Sequence, residues 1–428
     1  MALKKVSFIR CLKKSTIMRQ LVIVVFVFVS VNLLAQDYKV TIEPVNGKFK
    51  EVEYYMWIPE NLKTIKGIIL HQHGCGETAY KSGRNAFYDL QWQTLAKKHD
   101  FALMGSSYLS TTDCFDWVNP EEGSYSTFIR GISEIAKKSN HEELGNVPWV
   151  LWGHSGGGHW VYDMVLQHPD KILCSVMRSP AWTDTSSLGL QVPLLCLVGI
   201  QESYNNFSKD VWCSSLEAMK YRIRENAPVC IAFDPTSGHE TANSRVLAIS
   251  FIDEILKLRS DDRESIINRS NQCYVDLDNL MLTDKITDIE YIDNANWFPN
   301  KLFAEKWLEF IKTGNVTDST PPTESPYGVE ARKQGKGVVI SWQATADIES
   351  GIKGFRIYRN NKIINMDSSQ SNWNFQFDYH DNPLEIYDRF EYVDRNINKE
   401  GEYKYQVSLI NKAGLESAKS KAIVIKEE

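Results

Sequence analysis

Short apolar runs alternate with longer amphipathic segments between Val52 and about Ser260, and this alternation constrains the fold more than any other sequence feature. Most runs are apolar throughout and are bounded by Gly or Pro, which is typical of strands buried on both faces of a parallel sheet. Alternating strands and helices predict an α/β domain with right-handed crossovers, that is, a doubly wound, mostly parallel sheet. The apolar runs are "GIILHQH", "FALMGSS", "WVLWG", "ILCSVMR", "PLLCLVG" and "VCIAF".

The sequence period changes after the Pro-, Ser- and Thr-rich segment "VTDSTPPTESP". Beyond it, apolar and polar residues alternate, which predicts an antiparallel β-sandwich. Trp342 in "VVISWQA", together with "GFRIYRN" and "YKYQVSLINKAGLES", resembles a fibronectin type III domain, which implies a spacer or docking module. The predicted parts are a leader (1–35), an α/β domain (36–262), an extension packed on it (263–315), a linker (316–326) and a fibronectin type III-like domain (327–428).

Residues 1–35 have the pattern of a secretory signal peptide. They contain six Lys or Arg residues and no acid, with an apolar run from Leu21 to Val29 and small residues near Ala35. The run is short for a spanning helix, which needs about 20 apolar residues, and this favours a cleaved signal peptide. The alternative is a retained N-terminal anchor. Removing the six positive charges changes the net charge from −6 to −12, which argues against nucleic-acid or anionic-membrane partners. We expect an exported protein, periplasmic or secreted, with no stable membrane anchor after signal removal.

Eight cysteines, one of them in the leader, leave an odd number in the exported chain, so they cannot all pair. Cys75 and Cys114 each follow a predicted strand on the same side of the sheet. Whether they form a disulfide stays open at the level of sequence. No CxxC pair and no Cys/His ligand spacing supports a zinc site, so we expect no metal. The serine chemistry predicted below needs no organic cofactor either.

The segment "GHSGG", Gly153–Gly157, connects an apolar strand to a helix. A phosphate-binding loop would need a Lys after the glycines, and a dinucleotide fingerprint would follow an early strand. The pattern Gly-x-Ser-x-Gly between strand and helix is instead typical of a nucleophile elbow, which exposes the Ser155 hydroxyl above the sheet edge. The elbow also places the Gly156 amide at a helix N-terminus, where it can donate to an oxyanion.

The other catalytic groups are predicted at the ends of strands on either side of the elbow. In enzymes with such an elbow, an acid and then a histidine follow the serine along the chain. His239 in "DPTSGHET" follows the last strand, and Glu202 in "GIQES" follows the preceding one, with Asp210 as the alternative acid. The loop "HGCG" supplies a second oxyanion amide, that of Cys75, with Gly74 as the alternative.

These motifs together resemble the α/β-hydrolase superfamily over about residues 50–260. Within it, "LHQHGCGET" and "GHSGGG" are similar to the polyhydroxyalkanoate depolymerase and feruloyl-esterase branch. The resemblance implies a serine esterase in which Ser155 attacks an acyl carbon, His239 moves the proton and Glu202 orients His239. It also implies an acyl-enzyme that water resolves.

Substrate-binding candidates are the aromatic and Arg residues near strand ends. Trp residues beside an exposed site suit stacking on sugar or aryl rings, and Arg178 suits either a substrate carboxylate or a structural ion pair. We expect hydrolysis of a carbohydrate-linked acyl ester or a related ester. The alternatives are a serine peptidase of the same fold and a non-catalytic carbohydrate-binding or adhesion protein. The candidates are Tyr108, Trp117, Trp160, Arg178 and Trp182.

Overall fold

The computed structural model describes most of the chain after the leader. Its compact unit begins at Gln36, and the predicted leader lies outside the described residues. The described residues are 36–76, 80, 86, 88–108, 113–180, 183–204, 206–259, 271–365, 389–397 and 401–427.

The first part of the chain forms one large sheet with helices between its strands. Its strands are β1 (Gln36–Ile42), β2 (Val52–Ile58), β3 (Gly67–Gln72), β4 (Phe101–Ser107), β5 (Trp149–His154), β6 (Ile172–Arg178), β7 (Leu194–Gly199) and β8 (Val229–Asp234). Its helices are α1 (Leu90–Lys98), α2 (Ser124–Ser139), α3 (Gly156–Gln167), α4 (Asn206–Arg224) and α5 (Ser244–Leu258).

The large sheet has the strand order β1-β2-β4-β3-β5-β6-β7-β8. Strand β2 runs antiparallel to both of its neighbours, and β3 to β8 are parallel. The core strands β3, β4, β6 and β7 are buried along their whole length, as the continuous apolar runs require. The predicted α/β class with a mostly parallel sheet is confirmed, and this architecture fits the α/β-hydrolase fold.

The strand order reverses direction at β3, which has β4 on one side and β5 on the other. In open α/β sheets, ligands bind beyond the carboxyl ends of the strands at such a reversal. The loop after β3 contains "HGCG" and the turn after β5 contains "GHSGG", so both predicted motifs lie at the reversal.

Helix α1 illustrates how local sequence sets an element's bounds. The Asp89 carboxylate accepts hydrogen bonds from the amides of Gln91 and Trp92, which caps the helix N-terminus. Trp92 and Leu95 face the core and are fully buried, while Lys97 and Lys98 occupy the last turn. The Asp89 cap therefore sets the first turn of this helix.

A small antiparallel sheet and a helix follow the large sheet. They comprise β9 (Cys273–Asp276), β10 (Leu282–Thr283), β11 (Ala295–Phe298) and α6 (Lys301–Thr313). The Asn296 amide exchanges hydrogen bonds with the backbone of Ile231 in β8, at 2.6 and 3.0 Å, and Trp307 Nε1 donates to the Ile231 carbonyl at 2.8 Å. These contacts cover the outer edge of β8, which would otherwise present unpaired backbone groups.

The last part of the chain forms two antiparallel sheets around a shared apolar core. Their orders are β12-β13-β16 and β15-β14-β17-β18. The core centres on Trp342, whose ring lies 5.2 Å from that of Phe355 in the opposite sheet. The fibronectin type III resemblance stays a prediction. The strands are β12 (Tyr327–Gln334), β13 (Gly337–Gln343), β14 (Gly354–Arg359), β15 (Lys362–Ile363), β16 (Phe390–Asp394), β17 (Gly401–Ile410) and β18 (Ile423–Glu427).

Hydrogen bonds fix the loop after β13 against α1. Gln91 Nε2 donates to the Ile348 carbonyl at 3.1 Å, and Thr94 Oγ1 donates to the Ala346 carbonyl at 3.0 Å. In the part of the chain that the structure describes, none of the helices has the length and apolar character to cross a bilayer.

Candidate active site

The turn after β5 holds Ser155 in a backbone conformation that L-residues rarely adopt. Its φ is 55° and its ψ is −121°. A Cβ on Gly153 would lie 2.2 Å from the Gly157 carbonyl oxygen, and one on Gly157 would lie 2.3 Å from the Gln72 carbonyl oxygen. Both glycines of the Gly-x-Ser-x-Gly pattern are therefore required by close backbone approach, and the strained serine between them has the geometry of a nucleophile elbow.

His239 lies on the loop after β8 and reaches the elbow serine. Its Nε2 atom is 2.8 Å from Ser155 Oγ, which is hydrogen-bond distance. The His239 side chain is 36% exposed, so it faces both the serine and the solvent. The two residues are 84 positions apart in the chain and are brought together only by the strand order of the sheet.

Glu202 lies on a short 3-10 helix, Ile200–Tyr204, directly after β7. Its side chain is 1% exposed, and its Oε2 atom is 3.7 Å from His239 Nδ1. That separation is longer than a hydrogen bond, although such contacts tighten when substrate binds. Its Oε1 atom accepts from the hydroxyl of Ser179 and from Arg178 Nη1, the latter at 3.2 Å.

The environment of Glu202 keeps its carboxylate ionised. Burial alone would raise the pKa of this carboxyl group, but contacts with His239, Ser179 and the Arg178 guanidinium hold the pKa below its ordinary value. An ionised acid beside the imidazole can orient it and stabilise its protonated form. The alternative acid, Asp210, lies in α4, and its side chain is outside the described residues.

His73 orients the loop after β3. It is buried, and burial lowers its pKa to about 4, so the ring is neutral at physiological pH. Its Nε2 lies 3.2 Å from the Tyr108 amide and therefore accepts, so its Nδ1 donates to the Gly74 carbonyl at 2.7 Å. The carbonyl and the next N–H of a trans peptide point in opposite directions. The amide of Cys75 is therefore directed away from the His73 ring.

A disulfide between Cys75 and Cys114 joins the loops after β3 and β4. The sequence leaves this pairing open, and the structure forms it. A Cβ on Gly156 would lie 2.2 Å from Cys75 Sγ, so the disulfide packs directly against the residue after Ser155. On the other side of the loop, a Cβ on Gly74 would lie 3.2 Å from Ser155 Cβ. The predicted oxyanion residues Cys75 and Gly156 are thus immediate neighbours of the serine.

The prediction that Tyr108, Trp117 and Trp160 bind the substrate is wrong. Tyr108 is 1%, Trp117 2% and Trp160 1% exposed, which leaves no accessible ring face. Tyr108 stacks on Trp117 at 4.8 Å between ring centres, and Trp160 Nε1 donates to Ser124 Oγ at 2.9 Å. These rings fill the interior beneath the loops. Trp182 lies outside the described residues.

Arg178 forms a structural ion pair with Glu202, which is one of the two roles predicted for it. Its side chain is 0% exposed and pairs with Glu202, so it cannot receive a substrate carboxylate. His154 and His159 lie on either side of the elbow serine in the sequence and have different partners. His154 Nε2 lies 2.6 Å from the backbone carbonyl oxygen of His239, whereas His159 pairs with Asp163 at 3.3 Å.

Two hydrogen-bonding contacts at the site could not be predicted from the sequence. Ser179 has a φ of 47° and donates to the Glu202 carboxylate, and His154 holds the His239 backbone. Neither residue type at these positions indicates such a role in advance. Within the described residues, no group of three or more His, Cys, Asp or Glu side chains converges as a metal site.

The chain was compared with protein families, curated proteins and solved structures. Neither a family model nor a curated protein matches it. Among solved structures, it is similar to poly(aspartic acid) hydrolase-1 from Sphingomonas sp. KT-1, at 15% identity over 48% of this chain and 93% of that chain, with a TM-score of 0.35. It is also similar to a ferulic acid esterase, at 14% identity over 52% and 98%, with a TM-score of 0.37. A third is a siderophore hydrolase from Aspergillus nidulans, at 13% identity over 50% and 91%, with a TM-score of 0.34.

Proposed function

We propose that this chain is a serine esterase with Ser155 as the nucleophile, His239 as the base and Glu202 as the acid. The observation that carries the proposal is the 2.8 Å contact between His239 Nε2 and Ser155 Oγ at a strained strand-to-helix turn. A serine hydroxyl becomes a useful nucleophile when a neighbouring base can accept its proton. The buried, ionised Glu202 supplies the group that orients such a base.

In the proposed reaction, Ser155 Oγ attacks the acyl carbon while His239 Nε2 takes the hydroxyl proton. The oxyanion receives hydrogen bonds from the amides of Gly156 and Cys75. Gly156 is the first residue of α3, where backbone N–H groups are unpaired and the helix dipole favours negative charge. His239 then gives the proton to the leaving alcohol, and water resolves the acyl-enzyme by the reverse sequence.

The proposed substrate is a carbohydrate-linked acyl ester or a related extracellular ester, released by an exported enzyme. The Cys75–Cys114 disulfide supports export, because such bonds persist mainly in oxidising compartments. The leader pattern in residues 1–35 supports the same conclusion. We propose that the C-terminal sandwich is a fibronectin type III-like spacer or docking module with no catalytic group.

Two measurements test this function. A fluorophosphonate probe should label the purified protein, and Ser155→Ala should abolish both the labelling and the hydrolysis of p-nitrophenyl acetate. A panel of acetylated, methylated and feruloylated polysaccharides then identifies the ester, with a dipeptidyl amide as the peptidase comparison. An unlabelled wild-type protein, or labelling that survives Ser155→Ala, would reject the proposal.

A further inference from the structure

We propose that Arg178 is a positioning residue. Its single buried guanidinium fixes the Glu202 side chain and the loop that carries His239 relative to each other. This inference rests on the proposed function, because it assigns Arg178 a role in the reaction of Ser155, His239 and Glu202. Arg178 is the last residue of β6, and β6 lies between β5, which leads to the serine, and β7, which leads to the acid.

One end of the guanidinium fixes the acid. Arg178 Nη1 donates to Glu202 Oε1 at 3.2 Å and also contacts the Ser179 hydroxyl, which itself donates to Glu202 Oε1. Glu202 has two oxygens, and these contacts occupy Oε1. Its Oε2 atom is thereby turned toward His239 Nδ1, 3.7 Å away.

The other end of the guanidinium fixes the loop that carries the base. Arg178 Nη2 donates to Ser237 Oγ at 3.0 Å, to the Gly238 carbonyl at 2.6 Å and to the Glu240 carbonyl. The two carbonyls flank His239, and the carbonyl of His239 itself lies 2.6 Å from His154 Nε2. Three successive backbone carbonyls around the base are therefore held by two side chains.

Only an arginine can make this set of contacts. Its planar fork presents N–H groups in two directions from one rigid centre, whereas a lysine offers one compact ammonium. Its positive charge also balances the Glu202 carboxylate in a site that excludes water, where an unpaired charge is strongly disfavoured. Because Arg178 is 0% exposed, it does not contact the substrate, and its removal acts on the turnover step.

The test compares Arg178→Gln and Arg178→Lys with Arg222→Gln as the matched control. Arg222 is also 0% exposed and also donates to loop carbonyls, those of Leu188 and Gly189 at 3.0 and 2.6 Å. These contacts do not involve Glu202 or the His239 loop. All variants are assayed for kcat and KM with p-nitrophenyl acetate, for their rate of fluorophosphonate labelling, and for thermal unfolding.

For Arg178→Gln we expect kcat to fall by about 100-fold with KM within about twofold, because a displacement of about 1 Å at a catalytic group costs that much. We also expect the acid limb of its kcat–pH profile to move to higher pH, since Glu202 loses one of the contacts that hold the pKa of its carboxyl group below the ordinary value. Arg178→Lys keeps a positive charge but not the fork, so its kcat should fall while its acid limb stays in place. Arg222→Gln should lower the unfolding temperature and leave kcat and the acid limb unchanged.

The outcomes separate this inference from the proposed function. A wild-type protein that neither labels nor hydrolyses the ester rejects the proposed function. An active wild type whose Arg178→Gln variant retains its kcat and pH profile overturns the positioning role alone. The same holds if Arg222→Gln loses as much kcat as Arg178→Gln. If Arg178→Gln does not fold, Arg178→Lys decides, and unchanged turnover in that variant overturns the inference.

Discussion

Removal of the Cys75–Cys114 disulfide is the perturbation whose size follows most directly from the structure. The two cysteines are 39 residues apart, and cross-linking a loop of that length lowers the entropy of the unfolded chain by an amount worth about 4 kcal/mol of stability. The folded unit spans Gln36–Glu428, and its unfolding entropy scales with its length. A loss of that size therefore predicts a decrease in Tm of roughly 5 °C.

The same perturbation should reduce activity, because Cys75 Sγ fills the space beside Gly156. Without the bond, the Cys75 amide loses a restraint on its position next to the serine. Loss of one oxyanion donor costs about 10²–10³ in kcat, and a donor that is only loosened should cost less, about 10- to 100-fold. We expect this decrease in kcat with little change in KM.

The assay measures Tm and p-nitrophenyl acetate hydrolysis for the oxidised protein, the reduced protein and the Cys75→Ala/Cys114→Ala variant. Thiol titration verifies the reduction. Cys213→Ser is the control, because Cys213 is an exposed free thiol that meets the same reductant. If the reduced protein keeps its Tm within about 1 °C and its kcat within about twofold, the reasoning about this disulfide is refuted.

Two further changes test other parts of the structure. His154→Phe keeps a ring but removes the contact with the His239 carbonyl. The kcat for p-nitrophenyl acetate hydrolysis should therefore fall by about tenfold, the equivalent of one hydrogen bond. Unchanged turnover would show that the His239 loop does not need this contact. For Asp347→Asn we expect higher stability in urea unfolding at pH 8 but not at pH 4. Burial, together with the Asp318 charge, raises the pKa of Asp347 to about 6, above the value near 4 in an unfolded chain. The wild type therefore loses stability as the pH rises from about 4 to about 6. Asn avoids this cost of about 3 kcal/mol and still accepts a hydrogen bond from the Ser350 amide. Equal stability of the two proteins at pH 8 would contradict this reasoning.

The sequence predicts those parts of the site whose chemistry depends on local backbone geometry. The glycines around Ser155 are required by approaches of 2.2 and 2.3 Å to neighbouring carbonyls, and such a requirement leaves a mark in the sequence. The loop positions of Glu202 and His239 follow from the alternation of strands and helices, because parallel strands end at the same edge of a sheet. Their mutual distances depend on strand order, which local pattern does not encode.

The aromatic residues show where such reasoning fails. Tyr108 and Trp117 follow β4 in sequence, as residues that line a binding site would. The disulfide, however, brings the segment after β4 against the elbow. The two rings then stack on each other, and the tilted His73 ring packs against them, 4.8 Å from that of Trp117. Proximity to the site in sequence is therefore a poor guide to exposure, because burial depends on which loops cover a strand end.

Arg178 shows the same dependence with the opposite result. A strand-end arginine beside a predicted active site suggests substrate recognition as long as its surroundings are unknown. Because β6 lies inside the sheet, the segments after β7 and β8 meet above its end and contact the buried guanidinium. A fully enclosed arginine can find hydrogen-bond acceptors only within the protein. Its acceptors include the Glu202 carboxylate and the two backbone carbonyls on either side of His239, together with two serine hydroxyls. Enclosure itself therefore couples Arg178 to the geometry of Glu202 and His239.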